Sequence, residues 1–390
     1  MMSAEQPGPI YLDHNATTPV DPAVLEAMLP FFQSEFGNPS SSHHRHGNRA
    51  QDAVSKARSK IAKALGAREN EIVFTSGCTE ANNIALLGAV RARPEKTHLI
   101  TSAIEHPAVL EPLRSLVAEG FELTEVRPDE TGRISPESIE RAIRPETGLV
   151  SIMGANNEVG TTQPLAEIGA ICEARHVIFH SDLAQVMAHR TVDVAKEHVH
   201  LASISGHKAY GPKGIGALYV RSRSPRIRLQ PLFLGGGQEK GLRSGTLNVP
   251  LIVGLGEAIE RAGRLAQKEE ARLTDLCESF FAKVSQAIEG TTRNGHPTER
   301  IAGIVSLSID GVEPFALMQR LNSVASFSAS SACSTNTVET SHVLLAMFGD
   351  SSRARTAFRV SPGRYTTEAE MNLFADALIE AVPNLRRFAA

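Results

Sequence analysis

Between about residue 48 and residue 222 the chain alternates short apolar runs, rich in β-branched side chains, with segments whose apolar positions recur at helical spacing. That alternation predicts βα units and a mainly parallel sheet. Val54, Ala57, Ile61 and Leu65 fall three and four residues apart and Gly66 follows, which predicts a helix with one buried face and a C-terminal stop. Strands are predicted over "EIVFTSG" from residue 71, "HLITS" at 98–102, "LVSIM" at 149–153, "VIFH" at 177–180, "HLASI" at 200–204 and "GIGALYV" at 214–220. "CTEANNIALLGAV" opens a helix near Thr79.

Beyond about residue 250 a long glycine-bearing helical stretch leads into "LTDLCESFFAKVSQAIEG", where Leu273, Leu276, Cys277, Phe280, Phe281, Val284 and Ile288 share one apolar face. "IAGIVSLSI" at 301–309 predicts the start of a second sheet, and Thr367 and Glu370 have capping-box spacing ahead of a final helix. The expected organisation is a large α/β domain over residues 16–262 and a smaller α+β domain built from 263–390 and completed by 1–15. A chain of 390 residues exceeds the usual size of one core, which fits that division.

Composition narrows the partners. The sequence is 42% hydrophobic and 21% charged, ordinary for a globular protein, and its net charge of −3 gives no broad footprint for nucleic acid or an anionic membrane. No apolar run approaches the ~20 residues of a membrane span and the first residues lack signal-peptide character, so a cytoplasmic protein is expected. The four cysteines, at 78, 172, 277 and 333, are too scattered for zinc or a disulfide framework. Cys172 and Cys277 fall on apolar helix faces, as buried thiols do. Cys333 lies in "SASSACSTN", where no Leu, Ile or Val offers it a core.

The predicted strand ends carry the chemistry. After the first come Ser76, Gly77, Cys78 and Thr79, small residues at a helix N-terminus that suit an anion. After the others come His106, Asn157, Asp182 with Gln185, and Ser205, His207 and Lys208. Each alone reads as a cap, a turn residue or a solvated side chain. Together, at the carboxyl ends of successive strands, they mark where open α/β sheets bind ligands. A lysine for an aldehyde, a carboxylate for a pyridine nitrogen and small donors for a phosphate are what pyridoxal phosphate requires. Lys213, in a Pro-Lys-Gly turn, is the weaker candidate for the aldehyde. The "SSSHHRHG" cluster has no carboxylate or cysteine beside it and is a poor metal site.

"YLDHNATTPVDPAV", "FGNPSSSHHRHG", "EIVFTSGCTEANNIA", "EHPAVL", "ANNEVG", "SGHKAYGPKGIGALYV", "GGGQEKGLRSGTLNVP", "SSACS" and "FRVSPGRYTTEAE" run in order from residue 11 to about 370. By these motifs the chain resembles the cysteine desulfurases of the class V aminotransferase family. The resemblance implies the fold type I pyridoxal-phosphate transferase architecture: an α/β large domain with a mainly parallel seven-stranded sheet and a smaller C-terminal α+β domain. It implies a homodimer that converts L-cysteine to L-alanine and passes the sulfur, as a persulfide on Cys333, to an acceptor protein for iron–sulfur assembly or thio-modification, including DNA phosphorothioation.

By the matching positions Lys208 would carry the cofactor, Asp182 would hold the pyridine nitrogen, Gln185 the ring hydroxyl, and His106 the ring face and a proton. Thr79, Ser205 and His207 would take the phosphate, with Cys78 beside them, and Thr246 would reach the phosphate of the partner subunit. Asn157 and Arg359 would grip the substrate carboxylate. Arg359 lies between Phe358 and Val360 in a strand-like run, so it faces away from their apolar side. The chain departs from the family pattern in "SDLAQ", with Leu183 and Ala184 between Asp182 and Gln185, and at Cys78, where alanine is commoner. The long segment from Cys333 to Arg359 resembles the desulfurases with an extended cysteine loop. A selenocysteine lyase-like enzyme and a non-catalytic sulfur-relay scaffold are the rival readings.

Overall fold

A computed structural model describes residues 8–329 and 340–389; Cys333 lies outside the described residues. Thirteen strands occur among them. β1 (Ile10–Tyr11) pairs in parallel with β11 (Ala325–Ser326). The large sheet contains β2 (Ile72–Thr75), β3 (His98–Ser102), β4 (Glu122–Val126), β5 (Thr147–Ser151), β6 (Ile178–Asp182), β7 (Leu201–Ser205) and β8 (Gly216–Val220). Their order is β2-β8-β7-β6-β5-β3-β4, and only β8 runs against its neighbours. The seven-stranded, mainly parallel sheet is therefore present. β4 escaped the apolar-run reading because "ELTEV" sits at the sheet's edge and is only half-buried.

Alternation along these strands feeds two cores. Phe74, Ile100, Val150, Phe179, Ala202 and Ala217 point to one face. Val73, Leu99, Leu149, Ile178, Leu201 and Leu218, each one residue away, point to the other. Helices cover both, including Arg45–Ala64, whose Val54, Ala57 and Ile61 join the first core as their spacing predicts. His44 from the histidine cluster caps that helix, its Nδ1 accepting from the Gly47 N–H at 3.1 Å.

A smaller antiparallel sheet has the order β12 (Ser328–Ala329), β13 (Ala357–Val360), β10 (Val305–Ile309), β9 (Thr291–Asn294). It starts earlier in the chain than the sequence suggests, because β9 is the polar run "TTRN" and carries no apolar signature. Val305, Leu307, Ile309, Phe358 and Val360 join Leu273, Leu276, Cys277, Phe280 and Val284 in a separate core. The helical stretch beyond residue 250 is one uninterrupted helix, Val249–Ala287, about 58 Å long at 1.5 Å per residue. Ile252, Leu255 and Ile259 near its start belong to the large-sheet core and its later turns to the small-sheet core. At the final helix Glu370 Oε2 accepts from the Thr367 N–H at 2.7 Å, and Thr367 Oγ1 accepts from the Glu370 N–H at 3.2 Å, completing the capping box.

Candidate active site

The carboxyl ends of β2, β3, β6 and β7 open on one cavity of about 630 Å3. Cys78, Thr79, His106, Asn157, Asp182, Gln185, Ser205, His207, Lys208 and Arg359 all line it. Residues up to 130 apart in sequence, from Cys78 to Lys208, thus meet because parallel strands point their ends the same way, and Arg359 joins them from β13 of the small sheet. Thr246 lies away from this cavity and is exposed.

Asp182, the last residue of β6, is 7% exposed, and its carboxylate is held from three directions. Oδ2 accepts from Asn82 Nδ2 at 2.7 Å, while Oδ1 accepts from the Ala184 N–H at 2.9 Å and lies 3.3 Å from the Cys78 thiol. Burial first, and then the charge of Asp182, push the Cys78 thiol well above its ordinary pKa, so it stays protonated and donates. Leu183 packs fully buried in the core below, and Ala184 contributes its backbone, so the departure in "SDLAQ" leaves the carboxylate in place.

Lys208 follows β7 through the turn "SGH". Its Nζ donates to the carbonyl of Asn15 and, at 2.9 Å, to that of Ala16. Gln185 Nε2 donates to the same Asn15 carbonyl at 3.1 Å. The backbone of His207 is fixed by Thr18, whose N–H and Oγ1 both donate to the His207 carbonyl, at 3.0 and 2.8 Å. Burial, with Lys208 and Lys213 adding to it, lowers the His207 pKa to about 4, so the ring is neutral. Lys213 sits exposed at the cavity wall.

His106 caps the helix Pro107–Ala118, its Nδ1 accepting from the Ala108 N–H at 3.0 Å. That leaves the proton of the neutral ring on Nε2. Burial lowers the pKa of His106, which favours this neutral form. Arg359 on β13 is 7% exposed and faces the cavity from the polar side of its strand. Its Nη2 donates to Asp13 Oδ1 at 2.6 Å and its Nη1 to the Asn157 carbonyl at 2.7 Å.

The site fits pyridoxal phosphate. Ser205 Oγ is buried without a hydrogen-bond partner among the described residues, at the side of the cavity where the Ser76–Thr79 turn opens the helix Cys78–Arg91. A hydroxyl and helix-start N–H groups there suit a phosphate. The turn lies tight on β8: a Cβ at Gly216 would stand 2.7 Å from the Gly77 carbonyl carbon and 2.5 Å from the Ile204 oxygen. Only glycine lets the sheet approach so closely.

Several contributors lie within the motifs quoted above but gave no sign of their own part in the site. Asn82 looks like any polar residue in a helix, yet it is fully buried against Asp182. Asn15 and Asp13 come from the N-terminal segment, and Glu105, the residue before His106, is fully buried. Glu105 Oε1 accepts from Ser102 Oγ at 2.6 Å and from the Met153 N–H at 2.9 Å, and burial pushes its pKa up to about 8. Burial likewise raises Glu158, at the cavity wall, to about 7. The three described cysteines are free thiols, and burial pushes Cys172 and Cys277 up to about 12.

The aminotransferase class-V family model matches residues 10–374. The chain is 45% identical over 379 residues to the cysteine desulfurase IscS of Rickettsia felis, covering 97% of this chain and 92% of that protein. Among solved structures it resembles a NifS-like protein, with a TM-score of 0.89 at 35% identity over 96% of this chain and all of the other. It also resembles SspA in complex with cysteine, with a TM-score of 0.81 at 39% identity over 92% of this chain and all of that one. The chain belongs to the class-V aminotransferase family, and within it is a pyridoxal-phosphate-dependent cysteine desulfurase.

Proposed function

We propose that Cys333 takes the sulfur of L-cysteine as a persulfide, working with Lys208, Asp182, His106 and Arg359 in the cavity described above. The observation that carries this reading is the position of β12. Ser328 and Ala329 line the cavity and pair with Arg359 and Phe358, and Cys333 follows Ala329 by four residues. Four residues span at most about 14 Å, so the thiol is tethered within reach of the cavity.

Lys208 would hold the cofactor aldehyde, Asp182 its ring nitrogen, and Gln185 its ring hydroxyl, with Thr79, Ser205 and His207 around its phosphate. When bound, pyridoxal phosphate supplies an electron sink for charge developing on the substrate. Arg359 and Asn157 fix the substrate carboxylate, a planar guanidinium suiting a bidentate grip. Once the substrate amine has displaced it, the Lys208 amine is free to take the Cα proton, and His106, through Nε2, stands ready to give one. The Cys333 thiolate attacks the substrate sulfur: an S–S bond forms and the Cβ–S bond breaks. The carbon keeps that electron pair and, once protonated, leaves as alanine.

Thr246, exposed and outside its own subunit's cavity, would reach the phosphate site of a second copy in a homodimer. We place residues 16–262 in the cofactor-binding domain, and 1–15 with 263–390 in the domain that carries Cys333. The cytoplasm is the proposed location; no described helix is long and apolar enough to cross a membrane. The sulfur would pass to an acceptor protein serving iron–sulfur assembly or thio-modification, DNA phosphorothioation among them.

The test is Cys333→Ser. Incubation with cysteine should leave a persulfide on the Cys333 peptide of the native enzyme, detected by mass spectrometry, and the variant should lose both that mark and alanine release. Alanine release at the native rate in the variant would remove Cys333 from this role.

A further inference from the structure

Glu239 and Lys240 are consecutive non-glycine residues in the left-handed region, with φ of 46° and 58°. L-residues avoid that conformation, and it persists where surrounding contacts impose it. Here the contacts belong to the Glu239 carboxylate, which is 2% exposed although it comes from a surface loop. It meets Arg58 through two bonds, at 2.6 and 2.9 Å, and Oε2 also accepts the N–H of Phe74 at 2.8 Å. Arg58 in turn donates to the Ile72 carbonyl at 2.5 Å and covers the Phe74 ring, 4.5 Å from its centroid.

Ile72 and Phe74 belong to β2, the outermost strand on that side of the large sheet. An edge strand leaves one row of backbone groups unpaired. Arg58 and Glu239 together supply one donor and one acceptor to that row, replacing a missing strand with two side chains.

Two residues past Phe74 the same strand enters the Ser76–Thr79 turn, and the same loop grips this turn a second time. Glu80 Oε2 accepts the Ser76 N–H at 2.8 Å, and Arg243 binds the Glu80 carboxylate at 2.7 and 3.3 Å. Arg243 also offsets an acidic charge at the wall of the cavity where a phosphate is to be held. The two ion pairs, Arg58–Glu239 and Arg243–Glu80, therefore bracket the turn from the loop 237–243.

We propose that Glu239 is a positioning residue for the cofactor phosphate, fixing β2 and the Ser76–Thr79 turn through Arg58 and the Phe74 N–H. It touches neither cofactor nor substrate. The inference rests on the reading that this turn holds the phosphate, and its selectivity follows from that: displacing the turn weakens the grip on the phosphate first, because Gln185 and Lys208 lie on other segments and Asp182 keeps the Ala184 N–H at 2.9 Å.

The experiment compares binding of pyridoxal phosphate and of pyridoxal, which lacks the phosphate, to the full chain freed of cofactor. It uses native protein, Glu239→Gln and Thr79→Ala, well below their unfolding temperatures. Glu239→Gln keeps the shape and loses the charge, and is expected to weaken pyridoxal phosphate roughly tenfold, the low end for loss of a hydrogen bond to a charged group, while pyridoxal binding is unchanged. A general loss of structure would weaken both ligands alike, and that result overturns the proposal. If Thr79→Ala shows the selective loss and Glu239→Gln does not, the turn holds the phosphate and Glu239 plays no part. If neither shows it, the phosphate reading and the role of Glu239 fall together.

Discussion

The thiol of Cys78 lies 3.3 Å from Oδ1 of Asp182. A cysteine at the start of a helix would ordinarily be a candidate for activation, since the helix dipole favours the thiolate. Burial and the facing carboxylate act the other way and raise its pKa well above the ordinary value. Iodoacetamide at pH 8 should therefore leave Cys78 unmodified in the native holoenzyme and modify it after denaturation, as peptide mass spectrometry will show. Alkylation of Cys78 in the native enzyme would mean that the thiolate is accessible.

Asn82 holds the other oxygen of Asp182, at 2.7 Å. Hydrogen bonds to charged groups contribute about 1.5–3 kcal/mol, which is about 10–100-fold in an equilibrium constant. Asn82→Ala should accelerate loss of the cofactor by about that factor, followed as the decay of its visible absorbance during dialysis. An unchanged rate would show that the Ala184 N–H and Cys78 suffice to hold Asp182.

Glu105 gives a pH signature. Its ordinary pKa is 4.5 and burial raises the folded value to about 8. Below pH 4.5 the side chain is protonated in both states. Between 4.5 and 8 the unfolded chain gives up the proton and the folded one keeps it, so stability falls as pH rises, by an amount on the order of a few kcal/mol by pH 8. Glu105→Gln should remove this component, since the amide oxygen can still accept from Ser102 and Met153. Urea midpoints of the variant should fall less than those of the native holoenzyme between pH 5 and pH 8; parallel curves would mean that Glu105 is already ionised in the fold.

His106 is neutral, with its proton on Nε2, because Nδ1 is committed to the Ala108 N–H. Positioned general acid–base groups contribute about 10²–10⁴-fold. Alanine release by His106→Ala should fall within that range with KM changed only a few-fold, measured by steady-state kinetics. A large rise in KM at constant kcat would instead assign His106 to substrate binding.

Arg359 already spends its guanidinium on Asp13 and the Asn157 carbonyl, so a substrate carboxylate must share or displace the Asp13 contact. Arg359→Lys keeps the charge and loses the planar fork. KM for cysteine should rise at least about tenfold, with a smaller effect on kcat. Equal loss in both would indicate that Arg359 acts on the transition state.

The apolar strands of the large sheet and the buried helix faces were legible in the sequence, because burial on two sides leaves a continuous apolar run and burial on one side leaves a period of three to four. The sequence by itself also determined the ends of those strands, and with them Lys208, Asp182, His106 and the Ser76–Thr79 turn, since ligands of such sheets meet strand ends. Polar strands such as β4 and β9 were illegible because an edge position requires no apolar run. The tertiary structure alone decided which distant residues serve the site. Asn82 is one turn into a helix, Asn15 lies 193 residues from Lys208, and Glu239 sits in a loop beyond the outermost strand. Each lies inside a stretch that carries the family resemblance, yet no periodicity or spacing marks its task, because that task is defined by the one atom it faces, and that atom comes near only when the chain has folded.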